Sequence, residues 1–163
     1  MIVVVFGVSG VGKTTVGKLL AQELGWEFYE ADDFHPTANV EKMKNGIPLT
    51  DKDRQPWLDR LRQLIERCLA AEQNAVLACS ALKKAYRDRL RVSGEVKFVF
   101  LRASRARIAK QLDRRRGHFM PATLLDSQFA DLEEPRPPEP ALTFELTDDV
   151  NDLVAQIKTK LQR

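Results

Sequence analysis

Two cysteines, Cys68 and Cys79, are all that this chain of 163 residues holds. Neither has another Cys or a His at ligand spacing, which excludes a disulfide framework and a zinc site and leaves two reduced thiols as packing residues. Long apolar runs are missing too. Stretches such as Ile2 to Phe6 have the length of a strand, and Met1 leads into that run without a signal-peptide pattern, so the expectation is a soluble, cytoplasmic protein with no membrane partner. There are no internal repeats, and the biased segment 134–140, rich in proline, reads as a stiff surface loop rather than a linker. At this length the chain is expected to be a single domain, 1–163, with a full core and no room for a second functional domain.

Net charge is small but unevenly placed. The net value is +3, yet residues 83–116 carry 13 of the 26 Lys and Arg against three of the 23 Asp and Glu, a local +10 that leaves −7 elsewhere. A basic block can mark nucleic acid, a solvated face or the lining of a site for small anions. Aromatics, 7% of the chain, interrupt this block only at Tyr86, Phe98 and Phe100, and both phenylalanines belong to a strand pattern. Without a ladder of rings to stack bases, a small phosphorylated or carboxylated ligand is the better expectation.

What is present is a phosphate-binding loop. Gly7-Val8-Ser9-Gly10-Val11-Gly12-Lys13-Thr14-Thr15 follows an apolar run and precedes a helical pattern, so residues and context both fit a P-loop. Its glycines let the backbone turn and aim successive N–H groups at the phosphates of ATP, Lys13 bridges the β- and γ-phosphates, and the Thr14 hydroxyl is offered to Mg²⁺. A ligand-free glycine turn has no use for Lys-Thr at a helix entrance.

Strand-like runs alternate with helical stripes, the pattern of a parallel sheet covered on both faces. The strands are placed at Ile2 to Phe6, Glu27 to Glu30, Ala75 to Cys79, Lys97 to Arg102 and Leu142 to Leu146. Core-facing helix stripes fall at Val16, Leu19, Leu20 and Leu24, at Leu58, Leu61, Ile65, Cys68 and Leu69, and at Val150, Leu153, Val154, Ile157 and Leu161. Thr50 with Asp53 resembles a cap before the second stripe, and Gly25 closes the first helix. The fold class is therefore α/β, a three-layer P-loop fold on a five-stranded parallel sheet.

In such a sheet the residues just after each strand carry the chemistry. Asp32, after the second strand, can face the γ-phosphate, take a proton from an attacking hydroxyl and help hold Mg²⁺; alternation along an extended segment would turn Asp33 away. His35 could bind substrate or simply pack against its loop. No Asp ends the third strand and no Asn-Lys-x-Asp occurs, absences that argue against a GTPase or a motor and for a small-molecule kinase. Lys83 and Arg87, four apart on one helix, either converge on one anion or form a solvated face. Arg114-Arg115-Arg116-Gly117 either closes a helix or forms a lid, placed around 114–122, that brings an arginine to the γ-phosphate.

Taken together these residues resemble the gluconate kinases over almost the whole chain. The specific matches are Asp32-x-Phe34-His35-Pro36, the run from Glu41 to Leu58 around Asp53-Arg54-x-Pro56-Trp57, the run Cys79 to Arg91, Gly117-His118-Phe119, and Ser127-Gln128-Phe129 with Leu132-Glu133-x-Pro135. Ala31 stands where the family prefers glycine, and Gln111 where arginine is common. The resemblance implies a nucleoside-monophosphate-kinase-like fold with a lid, a homodimer, ATP and Mg²⁺ as cofactors, and phosphorylation of D-gluconate at its 6-hydroxyl. It also implies Asp32, Lys13 and Arg115 as catalytic residues and His35, Arg54, Lys83, Arg87 and His118 around the sugar acid. Physical chemistry alone leaves shikimate, a nucleoside monophosphate or adenylyl sulfate as acceptors, and a P-loop module that binds ATP without transferring phosphate.

Overall fold

The computed structural model describes residues 1–113 and 122–162. In chain order the elements are β1 (Ile2–Phe6), α1 (Lys13–Leu24), β2 (Glu27–Glu30), a short 3-10 helix (Ala31–Phe34), α2 (Thr37–Lys44), α3 (Asp51–Ala70), β3 (Ala75–Cys79), α4 (Lys84–Leu90), β4 (Val96–Arg102), α5 (Arg105–Asp113), α6 (Ala122–Asp131), β5 (Leu142–Glu145) and α7 (Val150–Leu161). The strands form one parallel sheet in the order β2-β3-β1-β4-β5. All five expected strands are present, two of them differing by one residue at one end.

Every residue of β1 and β3 is buried, as continuous apolar runs in a parallel sheet require. Successive side chains leave β1 on opposite faces. Ile2, Val4 and Phe6 join Trp57, Leu58, Leu61 and Ile65 of α3, while Val3 and Val5 join Val16 and Leu20 of α1 and Leu153, Val154 and Ile157 of α7. The three expected stripes thus fall on α3 and on the α1–α7 pair. Helix α3 starts with a full capping box between Thr50 and Asp53, and α1 ends on Gly25 in a left-handed conformation, φ 71°.

The 3-10 helix, α2 and α6 were not foreseen. Helix α2 has no apolar stripe; Asn39 is its buried residue, held where its side-chain amide donates to the Asp53 carbonyl at 2.8 Å. Lys42 adds an ion pair with Asp53 at 2.8 Å, so polar side chains rather than periodicity dock α2 on α3.

Arg87 needs correcting as a candidate for the substrate. It lies fully buried under the β3–α4 connection, paired with Glu139 at 2.6 Å and donating to the carbonyls of Ala81, Leu82 and Glu133. Its guanidinium also covers the Phe6 ring at 4.9 Å. All its donors serve to tie the proline-rich loop and the end of α6 to the sheet. Cys68 and Cys79 are buried free thiols as expected, and burial pushes the Cys79 thiol up to about 12.

Candidate active site

The P-loop links the carboxyl end of the central strand β1 to α1. A side chain at Gly7 would bring its Cβ within 2.8 Å of the Leu101 carbonyl oxygen, and Gly12 starts α1 at φ 96°, a conformation costly for other residues. Val8 and Val11, 3% and 0% exposed, sink into the core on the α1–α7 face of the sheet and anchor the loop. The Lys13 ammonium reaches back to the Val8 carbonyl at 3.1 Å.

Beyond the loop lies a cleft of about 370 Å³, within the size range of small-molecule sites. Ser9, Gly10, Gly12, Lys13 and Thr14 form one part of its wall; Asp32, His35 and Arg54 form another. Gly7, Val8, Val11 and Thr15 shape or continue the loop without lining the cleft. Apolar side chains of Val40, Met43, Pro48, Leu49 and Trp57 complete the acceptor end.

Asp32 stands in the 3-10 helix directly after β2. The backbone there is not extended, so the alternation that separated Asp32 from Asp33 does not apply; the tighter turn nevertheless puts Asp32 on the wall and leaves Asp33 exposed off it. Glu30, the last residue of β2, also lines the cleft and was missed. It accepts a short hydrogen bond from the Thr14 hydroxyl. Burial, aided by the Asp32 charge, raises its carboxyl above the ordinary 4.5. Thr14, Glu30 and Asp32 thus place hard oxygen donors beside the phosphate loop, and a divalent cation there would relieve the carboxylate crowding. That donor set suits Mg²⁺, which takes one or two carboxylates and completes its shell with phosphate and water. The described residues hold no cluster of three or more His, Cys, Asp or Glu that would form a self-sufficient metal cage.

His35 is fixed on two sides. Its ring stacks on Trp57 at 4.4 Å and 10°, and Trp57 in turn donates from Nε1 to the Ala31 carbonyl at 2.7 Å, pinning the turn that carries Asp32. The Asn39 amide nitrogen lies 3.1 Å from His35 Nδ1. Because that nitrogen also donates to the Asp53 carbonyl, its identity is settled, and Nδ1 must accept. Burial holds the imidazole below its ordinary 6.5, so the ring is neutral with its proton on Nε2, a donor.

Arg54, 7% exposed, donates from Nη1 to the Tyr86 hydroxyl at 2.9 Å and from Nη2 to Asp131 at 3.1 Å. Tyr86 makes a short hydrogen bond to Asp51, and Lys83 pairs with Asp51 at 2.8 Å. Lys83 therefore also needs correcting: its ammonium is held by Asp51 and does not line the cleft, and it diverges from Arg87 despite the four-residue spacing because it precedes the helix as its cap. Arg115 and His118 lie outside the described residues. Ser80 and Gln128 line the cleft unforeseen; Ser80 follows β3 at once, so the rule that located Asp32 would have found it. No helix among the described residues is long and apolar enough to cross a membrane.

The family model described as shikimate kinase matches residues 9–139. A gluconokinase of Gluconobacter oxydans is 52% identical over 85% of this chain and 79% of its own length. The chain belongs to the gluconokinases of the shikimate kinase family. A Xenopus tropicalis member named "Probable gluconokinase" is 45% identical over 100% of this chain and 94% of its own. The unliganded crystal structure of a sugar kinase from Janibacter sp. HTCC2649 superposes with a TM-score of 0.93 at 43% identity, covering 99% of this chain and 94% of that one. Members of this family are ATP-dependent phosphotransferases, which accords with a P-loop and an acceptor wall sharing one cleft.

Proposed function

We propose that this chain transfers the γ-phosphate of ATP to the 6-hydroxyl of D-gluconate, giving 6-phospho-D-gluconate and ADP. The observation that carries the reading is the meeting of Asp32, His35 and Arg54 with the P-loop in one cleft, in a chain about half identical to a gluconokinase. Gluconate is an anion rich in hydroxyls. Arg54 offers a planar cation for its carboxylate and the neutral His35 an Nε2 donor for a hydroxyl, while the apolar residues of α2 and the loop after it exclude water.

Phosphoryl transfer asks for alignment and charge neutralisation more than covalent help. The P-loop amides and Lys13 hold the β- and γ-phosphates, and Arg115 would add its charge to the transferring group. Asp32 accepts the proton as the gluconate hydroxyl oxygen bonds to the γ-phosphorus; the bond to the β–γ bridging oxygen breaks, and its electron pair leaves with ADP. Thr14, Glu30 and Asp32 would hold Mg²⁺, which supplies neutralisation of charge on the phosphate oxygens. A cytoplasmic homodimer completes the reading and rests on family resemblance; among the described residues Ile47 is the large hydrophobic left exposed, at 48%. The decisive experiment is ADP release over a panel of gluconate, shikimate, AMP and adenylyl sulfate. Preference for gluconate supports the assignment, and preference for another acceptor overturns it.

A further inference from the structure

Helix α6 touches both halves of the cleft through residues three apart on one face. Gln128 Oε1 accepts from the Ser9 backbone N–H at 3.1 Å and from the Ser9 hydroxyl at 3.2 Å. A backbone N–H can only donate, so the amide oxygen faces the P-loop and the amide orientation is settled. One turn on, Asp131 accepts from Arg54 Nη2 at 3.1 Å. The Arg54 side chain is 8% exposed and that of Asp131 24%, so this pair is shielded from water and its geometry is worth more than that of a surface pair. The C-terminal end of the helix is itself clamped: Glu133 donates its backbone N–H to the Leu82 carbonyl at 2.8 Å, and its side chain accepts from the Lys84 backbone N–H at 2.7 Å.

We propose that Gln128 and Asp131 are positioning residues, and that this face of α6 fixes the span between the phosphoryl donor and the acceptor by holding Ser9 at one end and Arg54 at the other. Neither touches the reacting atoms. Gln128 acts through the P-loop, Asp131 through the guanidinium that receives the acceptor's carboxylate. A guanidinium recognises a carboxylate by its planar fork, so its orientation matters beyond its charge. Tyr86 fixes one arm of that fork; Asp131 fixes the other, and without it the plane is free to turn about the remaining bond.

The inference rests on the gluconokinase reading, and steady-state kinetics in both substrates distinguishes the two. Wild-type protein that fails to turn over gluconate overturns the reading of function; wild-type protein that does so, with variants that fail to separate, overturns the role of α6. Asp131→Ala is expected to raise the KM for gluconate about tenfold, the scale of one charge-assisted hydrogen bond, with the KM for ATP within about twofold. Asp131→Asn, which keeps an oxygen for Arg54, should recover most of the loss. In an Arg54→Ala background the Asp131→Ala change should have no further effect on gluconate KM, as expected of residues that act as a unit. Gln128→Ala should lower kcat about tenfold and leave gluconate KM within about twofold. Equal rises in both KM values accompanied by a lower Tm would reduce α6 to a structural support. An undiminished Asp131→Ala effect without Arg54, or a Gln128→Ala variant with unchanged kcat, would overturn the proposal just as directly.

Discussion

The two sides of the cleft are built on different principles. The phosphate side is one continuous stretch, β1 to α1, whose functional groups are mainly backbone amides; its conformation follows from glycines at Gly7 and Gly12 and from two buried valines beneath. The acceptor side is assembled from side chains on the turn after β2, on α3 and on α6, brought together by hydrogen bonds between polar groups far apart in sequence. Arg54 and Asp131 are 77 residues apart, Arg54 and Tyr86 32. A local motif can write the first kind of site into sequence. The second kind depends on how the layers stack.

This contrast is open to test, and the largest effects should come from the phosphate side. Lys13→Ala should cost about a hundredfold to a thousandfold in kcat with the fold retained, because the lysine serves charge that develops in the transition state rather than packing. Unchanged turnover, with circular dichroism confirming the fold, would remove the P-loop from the mechanism. Next is the carboxylate facing the loop. Asp32→Asn should lower kcat at least about a hundredfold through loss of the proton acceptor, while Asp33→Asn stays within a few-fold, since only Asp32 lines the cleft. A more damaged Asp33 variant would reverse the assignment.

On the acceptor side two arginines of opposite purpose sharpen the comparison. Arg54→Ala should raise gluconate KM well beyond ATP KM and cost less stability, since its partner Asp131 keeps 24% of its side chain in water. Arg87→Ala should do the reverse, because it leaves the 2% exposed Glu139 carboxylate to the longer contact with Arg91 at 3.6 Å. Breaking such a buried pair costs about 3–5 kcal/mol, a Tm drop on the order of 10 °C for a domain of this size. Thermal melts and kinetics on both variants would show whether binding and stability separate in this way.

The smallest effect concerns His35. Its folded value lies below the ordinary 6.5 through burial, so the folded protein resists a proton that the unfolded chain accepts. The stability this brings is fully present above 6.5 and is lost as pH falls below it toward the folded value. Wild-type Tm should therefore drop more steeply on acidification than that of His35→Phe, which keeps the stack on Trp57 but cannot titrate. Parallel profiles would show that the imidazole is not held neutral by its surroundings.

Sequence by itself determined the sheet and the phosphate side. Strand-like runs located all five strands, period-3.6 stripes located α1, α3 and α7, and the glycine-lysine-threonine spacing located the P-loop, because each of these is a local property of the chain. Asp32 was also legible, through the rule that strand ends carry chemistry, although the backbone that presents it is a 3-10 turn rather than an extended segment. Only tertiary structure decided the fate of the basic residues. Lys83 and Arg87 share a spacing that suits one anion, yet Asp51 takes the first and the buried Glu139 the second. Arg54, expected at the sugar acid through family resemblance although its helix shows only a core stripe, reaches the cleft because Tyr86 and Asp131 hold its fork there. A positive charge in sequence has no address of its own: Coulomb attraction and desolvation act over distances set by the packed layers, so the partner that the fold supplies decides whether an arginine binds substrate or holds the protein together.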